Sequence, residues 1–463
     1  MCFVFFLQYL DKQSLSYAGV FGLIEDLDMT SSQYSWSSSI FYVGQLVSEY
    51  PFIYLMSRLP LTKFVGATVI VWGIICMCLA APQSFAGFAA VRFLLGFSEG
   101  AVSPAFVTIT SIWYRNKEHN LRTALWISMN GLAQVLGCFL MYGIGTSNFL
   151  TIAPWRVLFI ICGAMTVAAG VAFFFLMPNG PKDAWFLNAR EREVLSLRMA
   201  QDRDGGDKAS FSLVQLKETL MDPKAWVIFW FGVLVCMQSP VLTFASLVIK
   251  SIGYTKLETM LYTAPSGAVQ IVLLWIGAGL VHIFPNQRTL IVLALIIPPL
   301  IGTVFLMKLD VAAQWGLIVA SWLVWPSLTY GESLLTPFQA SCITASMTIL
   351  LSLAASNFKG NTKRAVVNGM FFIGYCAACI ASPQLWTHSP RYTEGVITSI
   401  VTWCLLFVTV IFFRFLCIGD NKQRDTQATS HESFVDNHLE LDENGLPESD
   451  VTDKQDRNFR YVW

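Results

Sequence analysis

The sequence is poor in charged residues and has no excess of either sign. Only 13% of its 463 residues are Asp, Glu, Lys or Arg, and 30 basic side chains balance 30 acidic ones. Soluble domains carry about 25% charged residues, so this composition excludes an ordinary soluble domain. The zero formal charge provides no long-range attraction to nucleic acid, and no nucleic-acid partner is expected.

Residues that commonly carry out chemistry are also scarce. The five histidines are scattered and form no Ser-His-Asp or metal-ligand arrangement. The 11 cysteines lie in apolar runs, and only Cys376-Ala-Ala-Cys379 has a spacing typical of a ligand pair. They are better explained as small buried hydrophobic residues. The sequence therefore predicts no enzyme, no metal site and no cofactor.

Long apolar segments dominate the chain, which is 55% hydrophobic with a mean hydropathy of +0.55. Twelve segments reach the length that crosses a bilayer as a helix, when one long broken run is counted once. They lie at 1–22, 36–57, 64–81, 86–107, 122–145, 155–177, 224–248, 259–284, 288–308, 313–355 (the broken run), 363–385 and 395–417. The predicted fold class is an all-α membrane protein with twelve transmembrane helices.

The segments are arranged as two groups of six. We predict an N-terminal six-helix half at 1–177, a linker loop at 178–223 and a C-terminal six-helix half at 224–417. Within the linker, charges alternate at helical spacing over 188–203, which predicts a surface helix. Residues 418–463 are rich in acidic residues, Ser and Thr, and are predicted to form a disordered acidic tail. Two repeated halves with a site between them are typical of alternating-access carriers.

Positive charges mark one side of the predicted membrane. The opposite side shows Glu25, Asp26 and Asp28 or almost no charge. The positive-inside rule therefore places both termini and the linker in the cytoplasm. We expect a monomer in the plasma membrane, with the lipid bilayer as its surroundings. The basic loop residues, outside the linker, are Arg58, Lys63, Arg115, Lys117, Arg122, Arg288, Lys359, Lys363 and Arg364.

The fourth segment contains two opposite charges, Arg92 and Glu99, inside an apolar run. Seven residues are close to two helical turns, so both side chains project from nearly the same face. An ionisable group in hydrocarbon is costly unless it faces a bundle interior or a watery cavity. One interpretation is a polar seam along which ions or substrates move, and the other is a structural ion pair that locks neighbouring helices.

Further charged candidates lie in the first two segments. Asp11 and Lys12 are adjacent, so they point roughly 100° apart on a helix. We favour Asp11 as the residue that faces the pore, with Lys12 paired to a neighbouring helix. Glu49, beside Pro51, is either a rival proton carrier or a helix-end residue that faces lipid headgroups.

Polar uncharged candidates occur in the fifth, eighth and eleventh segments. Asn130 and Gln134 are four residues apart and share a helix face, as do Ser266 and Gln270, and Asn368 lies in the eleventh segment. These side chains could contact a substrate. They could equally form interhelical hydrogen bonds, which is the commoner use of amides in membranes.

Several short motifs together resemble a known family. The chain is similar to major facilitator superfamily carriers, specifically the fungal allantoate permease-like branch of anion:cation symporters. The resemblance covers essentially the whole chain. The matching stretches are Tyr9-Leu-Asp11-Lys12, Arg92-Phe-Leu-Leu-Gly96-Phe-Ser-Glu99-Gly, Trp113-Tyr114-Arg115, Pro265-Ser266-Gly267, Ala355-Ser356-Asn357, Phe371-Phe-Ile-Gly374-Tyr375 and Asp456-Arg-Asn-Phe459-Arg460-Tyr461.

The resemblance associates Arg92 with proton coupling. Because a guanidinium cannot lose its proton, Arg92 would serve as a fixed counter-charge to a titrating carboxylate. Glu99 is the nearest in sequence, and Asp11 and Glu49 are its rivals.

The resemblance implies a secondary active transporter in which protons drive symport of a small organic anion. Vitamins, ureides and secondary metabolites remain open as substrates, because Ala378-Cys379-Ile-Ala-Ser382-Pro383 stands where the family usually has Gly-Asn-Ile-Ile-Gly-Pro. The alternatives are a non-transporting receptor with a carrier fold and a uniporter or exporter of a metabolite.

Overall fold

A computed structural model provides the three-dimensional structure of the chain. It describes residues 1–100, 102–114, 116–147, 151–200, 212–240, 244, 246–247, 254–308, 337–386, 393–431, 451–456 and 459–463. Within these ranges the regular structure is helical, and no strand occurs.

The first half and the linker helix after it contain ten α-helices. They are α1 (Cys2–Val20), α2 (Leu23–Asp26), α3 (Ser31–Arg58), α4 (Leu61–Cys78), α5 (Phe85–Glu99), α6 (Val102–Trp113), α7 (Asn116–Ile127), α8 (Met129–Thr146), α9 (Pro154–Leu176) and the linker helix α10 (Ala189–Ala200). The rest of the described chain adds α11 (Leu213–Leu220), α12 (Pro223–Cys236), α13 (Lys256–Ile283), α14 (Arg288–Lys308), α15 (Pro337–Asn357), α16 (Asn361–Ala381) and α17 (Thr393–His431).

The helices of the two halves pack in the same pattern. In the first half α1 contacts α8 and α9, α3 contacts α5, and α4 contacts α9. In the second half α12 contacts α16 and α17, α13 contacts α15, and α14 contacts α17. The halves meet where α3 packs on α16 and where α8 packs on α13. This correspondence shows an internal repeat, as expected of a carrier.

A capping box starts α3 in the first half and α13 in the second half. Thr30 caps α3 in a capping box with Gln33, and Thr255 caps α13 in a capping box with Glu258. Each box satisfies backbone N–H groups that a helix start leaves without partners. These caps fix where the chain re-enters the bundle at matching places in the two halves.

Seven described helices are long and apolar enough to cross a membrane, or up to eight if the bent pair α11 and α12 forms one span. The remaining predicted spans include polar or incompletely described helices. For example, α3 opens with the serine-rich stretch 31–39. The predicted broken run at 313–355, with Glu332, falls largely outside the described residues.

The connection between the halves defines two ends of the bundle. We call the end at which residues 178–200 and 212–222 lie the linker end, and the other the opposite end. The predicted surface helix is present as α10, and Arg198 forms an ion pair with Glu118 of α7. Stacked rings of Trp113 and Phe186, 5.9 Å apart, also attach the linker to the first half.

The chain after 417 differs from the predicted disordered tail. The last helix continues to His431, and residues near the carboxyl end pack on the second half, where Tyr461 is 2% exposed. Phe459 and Trp463 pack beside it against the core of that half. Disorder was predicted from the average composition of the tail, which does not reveal the few aromatic residues near its end that pack on the second half. Residues 432–450 lie outside the described ranges.

Candidate functional site

A buried ion pair joins two helices of the first half. Lys12 Nζ of α1 lies 3.3 Å from Glu99 Oε1 of α5, and the two side chains are 21% and 1% exposed. Lys12 Nζ also lies 5.6 Å from the centre of the Phe41 ring. Glu99 therefore has its cation on another helix rather than two turns away on its own.

Asp11 occupies a different environment from Lys12. It is fully buried, and Thr166 Oγ1 of α9 donates a hydrogen bond to its Oδ2 over 3.4 Å. Its Oδ1 has no hydrogen-bond partner among the described residues. Lys12 is paired to a neighbouring helix, as expected, whereas Asp11, which was expected to face the pore, is buried against α9. The 100° step between the residues was anticipated, but the face that packs was not.

Arg92 is a buried cation that lacks a direct counter-ion in the part of the chain that the structure describes. Its side chain is 2% exposed, and its guanidinium carbon lies 5.7 Å from the centre of the Phe88 ring. Its Nε and Nη2 donate to no acceptor there. Buried guanidinium nitrogens without an acceptor are costly, and an anion that reached Arg92 would satisfy them.

Glu49 forms no ion pair among the described residues. It is partly exposed in α3, next to Tyr50, which is 86% exposed. Among the described residues, no cation comes within 4 Å of its carboxylate.

Two small residues let α8 and α13 touch at mid-height. A methyl group added to Gly131 or to Gly267 would collide with the carbonyl oxygen of the other glycine. One turn away, Gln134 Nε2 donates to Ser266 Oγ over 2.6 Å, and Tyr17 Oη donates to the Gln134 carbonyl over 3.2 Å. One member of each polar pair predicted from sequence, Gln134 and Ser266, thus meets the other across the halves.

Unused polar atoms lie near this crossing. Gln270 Nε2 of α13 donates to Thr344 Oγ1 of α15 over 2.6 Å, while Gln270 Oε1 has no partner among the described residues. The same is true of Asn130 Oδ1 of α8. Asn368 of α16 is partly buried. Buried polar atoms are nearly always hydrogen-bonded, so these amides are suited to receive a ligand.

The second crossing between the halves is aromatic. The rings of Tyr42 in α3 and Tyr375 in α16 lie 5.9 Å apart. Ser39 Oγ donates to the Ile380 carbonyl over 2.7 Å. Sequence reasoning did not select these tyrosines as site residues. The eleventh segment has Tyr375 as its one tyrosine, but the second has Tyr42, Tyr50 and Tyr54, so the sequence gives no signal that selects Tyr42.

The opposite end of the bundle is closed by contacts between the halves. Phe244 lies between Tyr34 and Trp386, with ring centres 5.6 Å and 6.1 Å away. Ser16 and Ser246 form a hydrogen bond nearby. The charged groups at Lys12 and Glu99 therefore lie on the linker side of this contact layer.

The described residues contain no group of three or more His, Cys, Asp or Glu side chains placed to hold a metal ion. The arrangement consists of buried charges, amides and phenols, which are groups able to hydrogen-bond a polar solute.

Comparison with known proteins assigns this arrangement to a family. Residues 1–383 match the Major Facilitator Superfamily. An uncharacterised transporter of Schizosaccharomyces pombe is 32% identical over 466 residues, covering 100% of this chain and 85% of that protein. The allantoate permease of Saccharomyces cerevisiae is 29% identical, covering 100% of this chain and 84% of that protein.

Solved structures show the same fold. A bacterial homologue of the human lysosomal transporter Spinster superposes with a TM-score of 0.61 at 13% identity, covering 89% of this chain and 94% of that chain. A D-xylose–proton symporter gives 0.60 at 13% identity, covering 89% and 96%. These likenesses confirm the predicted all-α membrane fold with two six-helix halves. The chain belongs to the Major Facilitator Superfamily and is a multi-pass membrane transporter, not an enzyme.

Proposed function

We propose that the protein is a monomeric symporter that carries a small organic anion together with protons by alternating access. The observation that supports this most is the Lys12–Glu99 ion pair, with Arg92 buried on the same helix as Glu99 and without a carboxylate of its own. The first half thus holds two buried or partly buried cations, Lys12 and Arg92, and a single carboxylate, Glu99, that is paired with one of them.

The ion pair suggests how an anion and a proton are coupled. An incoming carboxylate competes with Glu99 for Lys12 and gains Arg92 as a second cation. Once Lys12 turns to the substrate, Glu99 is left as a buried charge, which is unfavourable unless it takes up a proton. Binding of the anion and protonation of Glu99 therefore favour each other.

The helix crossings suggest how the site is exposed to each side in turn. The halves touch along α8–α13 and α3–α16 and close at the opposite end through Phe244. Rocking of one half on the other would break this layer and bring the linker ends together. With basic loops in the cytoplasm, the linker end would face the cytoplasm of a cell whose plasma membrane holds the protein.

The first test measures accumulation of labelled allantoate in liposomes that carry the protein and an inward proton gradient. Allantoate is the first probe because a relative is named an allantoate permease. Other labelled carboxylates follow if allantoate is not bound. We expect Glu99→Gln to abolish gradient-driven accumulation and to spare exchange without a gradient, because exchange needs no net proton release.

The matched control is Glu118→Gln, which removes an exposed carboxylate from its surface ion pair with Arg198. Such pairs contribute little, so accumulation should stay near normal. Normal accumulation in Glu99→Gln would exclude Glu99 and make Asp11, then Glu49, the proton carrier. Uptake that ignores the gradient in the unmodified protein would indicate a uniporter or exporter, and binding without uptake would indicate a receptor.

A further inference from the structure

The residues at the carboxyl end occupy a groove on the linker end of the second half. We call residues 451–463 the terminal strap; residues 457 and 458 are outside the described ranges. At its centre is Lys363, fully buried at the start of α16. Lys363 Nζ contacts Glu218 at 2.8 Å, Asp222 at 3.0 Å and the strap's own Asp453 at 2.9 Å.

Two asparagines of the transmembrane half grip the backbone of the strap. Asn421 of α17 accepts a hydrogen bond from the Tyr461 N–H at 2.9 Å and donates one to the Tyr461 carbonyl at 2.9 Å. Asn357 of α15 likewise accepts a hydrogen bond from the Val462 N–H at 2.7 Å and donates one to the Val462 carbonyl at 2.9 Å. Each amide thus satisfies both backbone groups of one strap residue, as a neighbouring β-strand would.

One arginine, Arg424, donates hydrogen bonds to several atoms of the strap. Arg424 donates to the carbonyls of Asp453, Asp456 and Phe459 and to Tyr461 Oη, at distances between 2.6 Å and 3.1 Å. Tyr461 Oη in turn donates to Asp453 Oδ2 over 2.7 Å. Burial and the Asp453 carboxylate raise the pKa of Tyr461 well above its ordinary range, so this phenol stays a neutral donor.

The strap is fixed by packing as well as by polar contacts. Tyr461 is 2% exposed, and Lys224 Nζ lies 3.1 Å from the centre of its ring. Phe459 and Trp463 pack on the core of the second half. The contacts of the strap that the structure describes are with the ends of α12, α15, α16 and α17 of that half, and with α11 of the linker, which itself packs on α12 and α16. The strap therefore moves with one half and does not lock the halves together.

We propose that this groove is a peptide-binding site whose ligand is the chain's own terminal strap. Docking ties the ends of five helices together and gives hydrogen-bond partners to the side chains of Asn421 and Arg424. This role is separate from transport and does not depend on the identity of the solute. It assigns a specific binding function to a part of the chain whose composition resembles a disordered tail.

The test uses the full chain with a site-specific protease sequence and an epitope inserted between residues 436 and 446. After cleavage of the purified protein, nothing covalent holds the strap. We expect the epitope-bearing fragment to co-elute with the transporter in size-exclusion chromatography. Excess synthetic peptide 451–463 should displace it, and a peptide of the same composition in scrambled order should not.

Variants on each side of the contact distinguish docking from folding. The double variant Asn421→Ala with Arg424→Ala removes the hydrogen bonds that these side chains make to the strap. Lys422→Ala changes an exposed neighbour on the same helix. We expect the double variant to lose the fragment at least about tenfold faster, the change expected for buried polar contacts, and Lys422→Ala to behave as the parent.

Asp453→Ala with Tyr461→Ala alters only the strap, so the groove remains intact even if the first double variant folds poorly. We expect this variant also to lose the fragment at least about tenfold faster. Immediate loss of the fragment from the unmodified protein, or equal retention in the parent and the strap variant, would overturn the proposal.

Discussion

At the scale of single residues, the site depends on which helix supplies each counter-charge. Arg92 and Glu99 were recognisable from sequence because they interrupt one apolar run at helical spacing. The partner of Glu99 was not, because periodicity within one helix says nothing about the neighbour that it meets. The ion pair of Glu99 with Lys12, 87 positions earlier in the numbering, therefore required the structure.

The planar fork of Arg92 should be essential even when the charge is kept. We expect Arg92→Lys to lower the initial rate of gradient-driven uptake at least about tenfold, because a point charge cannot bind a carboxylate through two parallel hydrogen bonds. The rate is measured per molecule at the membrane. Arg190→Lys, on the exposed surface of α10, is the control and should be unchanged. Normal uptake in Arg92→Lys would make this residue structural.

Variants of the Lys12–Glu99 ion pair should affect the stability of the protein and its proton-coupled uptake differently. Lys12→Gln leaves Glu99 buried without its cation, and breaking one side of a buried pair costs roughly 3–5 kcal/mol. We expect a marked fall in melting temperature and recovery of much of it in the double variant Lys12→Gln with Glu99→Gln. Gradient-driven uptake should remain absent in the double variant. Equal melting temperatures for the single variant and the parent would show that the pair is not energetically coupled.

At the scale of helices, the contact of α8 with α13 gives a prediction with built-in controls. Gly131→Ala and Gly267→Ala each place a methyl group against the facing carbonyl, whereas Gly143 and Gly279 on the same two helices have open space. Overpacking costs roughly 1–3 kcal/mol, and alanine is otherwise the better helix former. We expect Gly131→Ala and Gly267→Ala to lower the melting temperature. Gly143→Ala and Gly279→Ala should not lower it.

Helix positions were largely predictable, since long apolar segments and capping residues are local signals. The linker helix followed from charge spacing in the same way. The terminal strap did not, because Asp453 and Tyr461 make sense only beside Lys363 and Asn421, which lie far away in sequence. The chain after 417 was judged by average composition, which a few well-placed residues can override.

At the scale of the whole molecule, loop charges predict which end faces the cytoplasm. A cysteine at Ser32, exposed at the opposite end, should react with a membrane-impermeant maleimide added to intact cells. A cysteine at Arg190, exposed at the linker end, should react only after the cells are opened. Labelling above that of the unmodified protein is the readout. The reverse pattern would invert the orientation and exchange the two sides in the proposed cycle.

The internal repeat also limits what the fold says about function. Both halves place the same helix pairs in contact, yet Lys12, Arg92 and Glu99 all belong to the first half. The second half contributes Gln270, Thr344 and Tyr375 near the interface. In the proposed function, charge and proton handling belong to the first half, and neutral groups of the second half contact the body of the solute.

Coupled entry of protons and a carboxylate is the central claim, and one measurement tests it most directly. Liposomes containing the protein and an internal pH dye are exposed to external carboxylates, allantoate first, with the membrane voltage clamped and no initial pH difference. The account predicts that a transported carboxylate acidifies the interior as it enters, and that Glu99→Gln abolishes the acidification. Entry of a labelled carboxylate without any change in internal pH would contradict it.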